Sequence, residues 1–276
     1  MSPKALISRP GRCLVALLAA LLAFTVAEPA CAAHDGRPAA TTPVRSGPPP
    51  RTGSLVFDEE FSDPIAWGTR WIGDATSAYQ YGDHNPNNDK LDWLTPSAVS
   101  VADGAATFTA KPGSRTLENG RRSWDTGLLT TEGSSEAFMV RVGDYVETRV
   151  KLPTAPGAWP ALWTWYNGTN EIDSFEYHPD NPDVLELTNG LRRAALYYHG
   201  PNVRPGGWVT IGVRYGESSN DWYVDGIKVF SDGAGTGRGW TAYLILNLSV
   251  EAGGYHQPPA DLTPFTYSAD YVRVWR

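Results

Sequence analysis

The feature of this sequence that most constrains its fold is a series of short segments in which apolar and polar residues alternate. A period of two places successive side chains on opposite faces of a β-strand. Turns rich in Gly, Pro, Asn and Asp separate the segments, and no comparable helical stripe is present. The segments are LVFDEEF, AATFTA, DYVETRVKLP, WVTIGVRY, DWYVDGIKVF, YLILNLSV and DYVRVW. The pattern predicts an all-β chain that forms one antiparallel sandwich or jelly roll of about 220 residues.

Alternation also predicts the faces of individual strands. In DYVETRVKLP, the residues Val146, Thr148, Val150 and Leu152 share one face, while Tyr145, Glu147, Arg149 and Lys151 share the other. In YLILNLSV, the polar Asn247 lies opposite the face formed by Leu244, Leu246, Leu248 and Val250. Ordinary solvated sheet surface is the alternative for both polar faces. In DWYVDGIKVF, Asp225-Gly226 predicts a two-residue type I′ hairpin turn.

The first 53 residues have features that predict export. Three basic residues precede the apolar run 13–26, and the small residues Ala30-Cys31-Ala32 offer a cleavage site. We therefore expect a signal peptide at 1–32, a Pro- and Thr-rich linker at 33–53 and one domain at 54–276. A membrane anchor is the alternative, but about 14 apolar residues fall short of the roughly 20 that span hydrocarbon. The mature protein would be extracellular and free of the membrane, and it would lack both cysteines of the chain.

The charge of the chain disfavours nucleic acid as a partner. Its 23 Lys and Arg against 30 Asp and Glu leave a formal net charge of −7. Eleven Trp and 13 Tyr instead provide flat aromatic surface, on which the C–H faces of sugars stack.

Three acids in the segment NEIDSFEY are candidate catalytic residues. Glu171 and Asp173 share a strand face, whereas Glu176 falls on the opposite face unless a bulge near Ser174-Phe175 returns it. With that bulge, the Glu171 and Glu176 carboxyls could approach the roughly 5 Å separation of retaining glycosidases. Glu171 would then be the nucleophile and Glu176 the acid, with Asp173 steering both. A solvated acidic strand or a Ca²⁺ site remains the alternative, since spacing alone does not decide.

The surrounding sequence resembles glycoside hydrolase family 16, the laminarinase and lichenase-like β-glucanases. GDYVETRVKLPTAPGAWPALWTW followed by NEIDSFEYH resembles its bulged E-x-D-x-x-E signature, and FDEEF, TGLLTT, LYYHGP, DWYVDGIKVF, LILNLSVEAGG and DYVRVW resemble other strands in the expected order. The likeness covers nearly all of 54–276. It implies a β-jelly-roll sandwich of two curved antiparallel sheets with an open substrate cleft. It also implies retaining chemistry with Glu171 as nucleophile, Asp173 as assistant and Glu176 as acid/base.

The resemblance extends to candidate substrate-binding residues. Glu147 and Arg149 match an E-x-R strand whose side chains line the sugar cleft, and Trp159 and Trp163 match the W-P-A-x-W element. We also expect Trp165, Trp124, Tyr145, His199 and Asn247 to face the substrate. A position in the core is the alternative for any single Trp, and a structural role is the alternative for a lone His.

The expected substrate is a polysaccharide, with β-1,3- or mixed β-1,3-1,4-glucan favoured. The alternatives are another polymer such as an agar-type galactan, transglycosylation in place of hydrolysis, or a catalytically silent, lectin-like jelly roll. The short stretch 164–170 before the first acid indicates that the neighbouring subsite differs from that of many relatives. Catalysis needs no cofactor, but the resemblance implies one structural Ca²⁺ at Glu60, the Gly104 carbonyl and Asp270. We expect a monomer.

Overall fold

A computed structural model describes residues 51–276. The predicted signal peptide at 1–32 and linker residues 33–50 lie outside the described residues. Within 51–276, no helix is long and apolar enough to cross a bilayer.

Seventeen strands and two single-turn 3₁₀ helices make up the regular structure of residues 51–276, as the alternation predicts. The 3₁₀ turns are Pro86–Asn88 and Pro96–Ala98. The strands are β1 (Leu55–Glu59), β2 (Asp92–Leu94), β3 (Val99–Ala102), β4 (Ala105–Thr116), β5 (Arg122–Thr126), β6 (Leu128–Thr130), β7 (Met139–Arg141), β8 (Tyr145–Lys151), β9 (Ala158–Trp165), β10 (Ile172–Glu176), β11 (Val184–Asn189), β12 (Ala194–His199), β13 (Trp208–Arg214), β14 (Asp221–Val224), β15 (Ile227–Ser231), β16 (Thr241–Val250) and β17 (Phe265–Trp275).

The strands form two sheets. The first has the order β15-β14-β13-β8-β17-β4-β5-β2, with β1 paired to β17 and β3 paired to β4. The second has the order β12-β11-β10-β9-β16-β6, with β7 paired to β16. All described pairs are antiparallel except the short parallel pair of β2 and β5. The two-sheet all-β sandwich predicted from the sequence is confirmed.

The main hydrophobic core is built from the facing sides of the two sheets. From β8 it takes Val146 and Val150, and from β16 it takes alternate leucines that are fully buried. Alternation predicts both inner faces because a side chain inside a two-layer sandwich must be apolar. The predicted hairpin is also present: Val224 pairs with Ile227, and Asp225 and Gly226 both have positive φ.

Candidate active site

The three acids reach one face of the second sheet through a β-bulge in β10. The register of β10 against β9 runs from Asp173 opposite Trp163 to Phe175 opposite Leu162, with an irregularity between them. Ile172 and Phe175, three residues apart, therefore both enter the core. A regular strand would place residues three apart on opposite faces. The predicted bulge at Ser174-Phe175 is confirmed, and it leaves Glu171, Asp173 and Glu176 on the outer face of this sheet.

Burial raises the pKa values of all three carboxyls, and repulsion from neighbouring acids adds to this for Asp173 and Glu176. Burial raises the pKa of Glu176 to about 7, with the negative charges of Glu186 and Glu171 acting in the same direction. The pKa of Asp173 is raised well above its usual range by burial and by Glu176 and Glu171. Glu171 stands just before β10, and burial raises its pKa as well. Burial thus favours the protonated form of Asp173, and Glu176 is poised to gain or lose a proton near neutral pH.

Lys90 and Trp159 stabilise the ionised form of these acids. The Lys90 charge lowers the pKa of Glu171, Asp173 and Glu176, partly opposing the effect of burial. Its Nζ lies 3.1 Å from the Trp159 ring centroid and donates a hydrogen bond to Ser249. Trp159 Nε1 donates a hydrogen bond of 2.9 Å to Glu176 Oε1. Trp159 thus contacts the predicted acid/base directly, whereas Lys90 was not singled out from the sequence.

The residues Trp163 and Asn247 lie on the same face as the acids but are covered. Trp163 Nε1 donates to Asn247 Oδ1, and Asn247 Nδ2 donates to Ser249 Oγ. Trp163 packs with Tyr79 in a second apolar cluster, which Trp165 borders, and Asn247 is only 2% exposed. The strand face predicted for Asn247, opposite the core leucines of β16, is confirmed. Because both side chains are buried, Trp163 and Asn247 lie beneath the surface of the site. Trp165 is half-buried and keeps accessible surface.

The structure adds a cluster of residues that the sequence reading missed, beside Glu176 at the end of β10. Glu186 on β11 pairs directly with Glu176 in the strand register and is 5% exposed. His178 and His256 stack with ring centroids 3.7 Å apart, and Tyr255 donates a hydrogen bond to Glu186. Burial lowers the pKa of His178 well below its usual value, so its imidazole is neutral. Alternation could have indicated that Glu186 faces outward, because its neighbours Leu185 and Leu187 both enter the core.

His199 lies at the end of β12, at the edge of the same sheet. It is exposed, and its Nδ1 lies 3.0 Å from Asp183 Oδ2. Tyr197, two residues earlier on the same face, is 38% exposed and pairs in register with Glu186. His199 therefore shares the outer face with the acids, and Tyr197 is an accessible aromatic ring closer to them.

The structure corrects the placement of Tyr145, Glu147 and Arg149. Their strand β8 belongs to the first sheet, and because Val146 and Val150 enter the core, these three side chains face away from the acids. Glu147 accepts hydrogen bonds from Arg51, Tyr145 and Tyr271. Arg149 pairs with Asp270 at 2.8 Å. Alternation identifies a polar face correctly, but it cannot tell which sheet carries that face.

Trp124 is corrected as well. It lies on β5 with 3% exposure, within the main core, and its ring packs 5.4 Å from Phe265. Its neighbours in sequence are polar, so alternation alone could not separate a buried from an exposed position.

The predicted calcium ligands are engaged in other contacts. Arg273 donates a hydrogen bond of 2.6 Å to Glu60, and Arg149 donates one of 2.8 Å to Asp270. Gly104 lies in the turn between β3 and β4. The calcium site stays a prediction.

One sequence relative aligns with most of this chain. No family model matches the chain. The chain is 29% identical over 252 residues to the endo-1,3-1,4-beta-glycanase EglC of Rhizobium meliloti (strain 1021), an alignment covering 80% of this chain and 52% of that protein. The chain thus spans about half the length of this curated relative.

Solved structures share the fold over most of the chain. The catalytic domain of an endo-1,3-beta-glucanase (laminarinase) from Thermotoga petrophila RKU-1 superposes with a TM-score of 0.68 at 25% identity, covering 81% of this chain and 97% of that one. SCLam, a non-specific endo-beta-1,3(4)-glucanase from family GH16, has the same fold, with a TM-score of 0.67 at 23% identity and coverage of 86% and 96%.

These likenesses agree with the resemblance to glycoside hydrolase family 16 that the sequence motifs indicate. In this chain the bulged E-x-D-x-x-E segment is residues 171–176, and its acids share a common face. His178, Glu186 and His256 form a cluster next to that segment.

Proposed function

We propose that this protein is a secreted, retaining endo-glycosidase of family 16 that hydrolyses β-1,3- or mixed β-1,3-1,4-glucan. The observation that carries the proposal is the bulge of β10, which places Glu171, Asp173 and Glu176 on one outer sheet face. Paired carboxyls with different environments are what a retaining glycosidase requires.

The first step forms a covalent intermediate. The Glu171 carboxylate attacks the anomeric carbon, and the bond from that carbon to the glycosidic oxygen breaks. Glu176 gives its proton to the departing oxygen as the ester to Glu171 forms. A pKa of about 7 keeps a large share of Glu176 protonated at slightly acidic pH, as a general acid requires.

The second step releases the product. Glu176, now a carboxylate, takes a proton from a water molecule whose oxygen attacks the anomeric carbon. The bond from that carbon to Glu171 breaks, and both carboxyls return to their starting states. Two displacements on opposite faces of the sugar retain the anomeric configuration.

Asp173 acts in this scheme as a positioning residue. It lies between the two glutamates in sequence on the same face, and its raised pKa favours its protonated form. A protonated Asp173 can donate a hydrogen bond to a neighbouring carboxylate, which holds the nucleophile in place and spreads its charge.

The names of the relatives support glucan as the substrate class. The sequence relative and the two structural neighbours act on β-1,3- or β-1,3-1,4-linked polymers according to their descriptions. The net charge of −7 disfavours densely sulfated chains through repulsion. Tyr197 and Trp165 supply accessible rings on the face of the acids, on which glucose units can stack.

Export is part of the proposal and rests on the sequence. The basic start, the apolar run 13–26 and the Ala30-Cys31-Ala32 cleavage site support secretion. We further propose that the exported enzyme works as a monomer, without a nucleic-acid or membrane partner.

Release of reducing ends from laminarin, lichenan, cellulose, xylan, agarose and carrageenan tests this function. We expect cleavage of laminarin or lichenan by the native protein. Glu171→Gln should reduce the rate by at least about 10⁴-fold while the circular dichroism spectrum stays native.

Glu217→Gln is the matched control, because Glu217 is exposed on the loop after β13. It should retain full activity. Full activity in Glu171→Gln would refute the mechanism, and cleavage of agarose alone would refute the substrate. Binding to one polymer without cleavage would indicate a lectin.

A further inference from the structure

We propose that His178, Glu186 and His256 form a binding site for one divalent transition-metal ion of the zinc class. The three residues come from separate parts of the chain: the end of β10, the middle of β11 and the connection between β16 and β17. Their potential ligand atoms all lie within 4.8 Å of one another. Imidazole nitrogen and carboxylate oxygen are the ligand types that zinc prefers in proteins.

The separations between these atoms are close to the spacing of ligands around one ion. Glu186 Oε1 lies 3.4 Å from His256 Nε2 and 3.9 Å from His178 Nε2. Bond lengths of about 2.0–2.2 Å at tetrahedral angles place neighbouring ligand atoms roughly 3.3–3.5 Å apart. The two rings are nearly parallel, with an interplanar angle of 6°. Because an imidazole holds a metal ion near its own ring plane, the two rings must rotate out of this parallel stacking for both Nε2 lone pairs to converge on one ion.

Each imidazole is backed by a carboxylate on its other nitrogen. His256 Nδ1 lies 2.8 Å from Asp180 Oδ1, and His178 Nδ1 lies 2.9 Å from Glu251 Oε1. Histidine ligands of metals commonly hold such a carboxylate, which orients the ring and leaves Nε2 to face the ion. His256 has that arrangement through Asp180, whereas His178 lies beside Glu251 without an aligned hydrogen bond. The Nε2 atoms of both rings lie within 3.9 Å of Glu186 Oε1.

An independent observation is the unmet bonding capacity of His178. Its side chain is 1% exposed, yet neither ring nitrogen makes an aligned hydrogen bond with any residue of 51–276. Burying a polar group without a partner costs about 1–3 kcal/mol. An ion bound at Nε2 would remove part of that cost.

The charge around the site favours a cation. Asp180 and Glu186 contribute carboxylates, and Lys90 is the opposing cation that acts on His178. His256 is half-buried and Tyr255 beside it is 41% exposed, so the ion has a route from solvent. Once bound, the ion would tie the 251–257 connection to β10 and β11 and raise the melting temperature.

Metal binding by the purified protein, stripped with a chelator, tests the site. Titration calorimetry with ZnCl₂ should give one ion per chain, and CoCl₂ should produce the visible absorption bands of a four- or five-coordinate ion. His256→Gln should weaken Zn²⁺ binding by at least about 100-fold, and Asp180→Asn by about 10- to 100-fold. Zn²⁺ should raise the melting temperature of the native protein but not that of His256→Gln.

His199→Gln is the matched control, because His199 also pairs with a carboxylate but lies outside the cluster. It should bind Zn²⁺ as the native protein does. His256 is chosen because its partial exposure favours folding of the variant, and circular dichroism without metal checks this. Absence of Zn²⁺ binding in the native protein, or undiminished binding in His256→Gln, would overturn the proposal. The readouts do not involve hydrolysis, so they are independent of the proposed function.

Discussion

Trp159 Nε1 donates a hydrogen bond of 2.9 Å to Glu176 Oε1, so the indole stabilises the ionised form of the predicted acid/base. Trp159 lies on β9 and Glu176 on the neighbouring β10. The contact joins two residues that the sequence singled out separately, one as a sugar platform and the other as a catalytic acid. It gives Trp159 a role in tuning proton transfer.

Trp159→Phe should move the alkaline limb of the pH profile of kcat/KM to higher pH. The limb reports loss of the Glu176 proton and should lie near pH 7 in the native protein. A hydrogen bond to the charged form lowers a pKa, so its removal raises the pKa, by up to about one unit. The measurement is the initial rate on laminarin as a function of pH, on both sides of neutrality, with a chelator present. An unchanged or lowered alkaline limb would contradict this assignment.

Lys90→Met should move both limbs of that profile to higher pH. Lys90 lowers the pKa of Glu171, the proposed nucleophile, as well as that of Glu176. Both pKa values therefore rise when the Lys90 charge is lost. The acidic limb moves because Glu171 must be ionised to attack. The same assay should show no shift for Lys111→Met, which removes an exposed charge from β4. Movement of one limb only would show that Lys90 does not act on both acids.

Glu147→Gln should lower stability while sparing catalysis. Glu147 is fully buried on the far side of the first sheet and accepts hydrogen bonds from Arg51, Tyr145 and Tyr271. Weakening this network should reduce the free energy of unfolding in urea by about 1–3 kcal/mol. The folded variant should keep kcat and KM within about twofold of the native values. A large rise in KM without loss of stability would instead return Glu147 to the substrate cleft.

Phe175→Ala should destabilise the protein strongly. Phe175 is fully buried in the main core, at the point where the bulge turns it inward. Removal of a buried phenyl ring costs about 3–5 kcal/mol, which urea unfolding would measure. Tyr197→Ala, on the exposed face of β12, should cost less than about 1 kcal/mol. Equal losses for the two variants would contradict the inward position of Phe175.

Much of the fold could be predicted from local pattern. The alternation in β8 and β16 identifies their core faces, and Asp225-Gly226 identifies its hairpin, because each depends on neighbouring residues alone. The bulge of β10 could also be predicted, since Glu176 joins Glu171 and Asp173 only if one extra residue interrupts the alternation. These features are properties of single strands.

The sequence by itself determined the all-β class, the inner strand faces and the three acids at and just before β10. Only the tertiary structure decided that Glu147 and Arg149 face away from those acids, that Trp124 is in the core, and that Lys90 and Glu186 lie beside Glu176. Alternation reports which side chains share a face of one strand. Which sheet that strand joins, and which distant residues meet there, depends on long-range pairing and packing that local pattern does not contain.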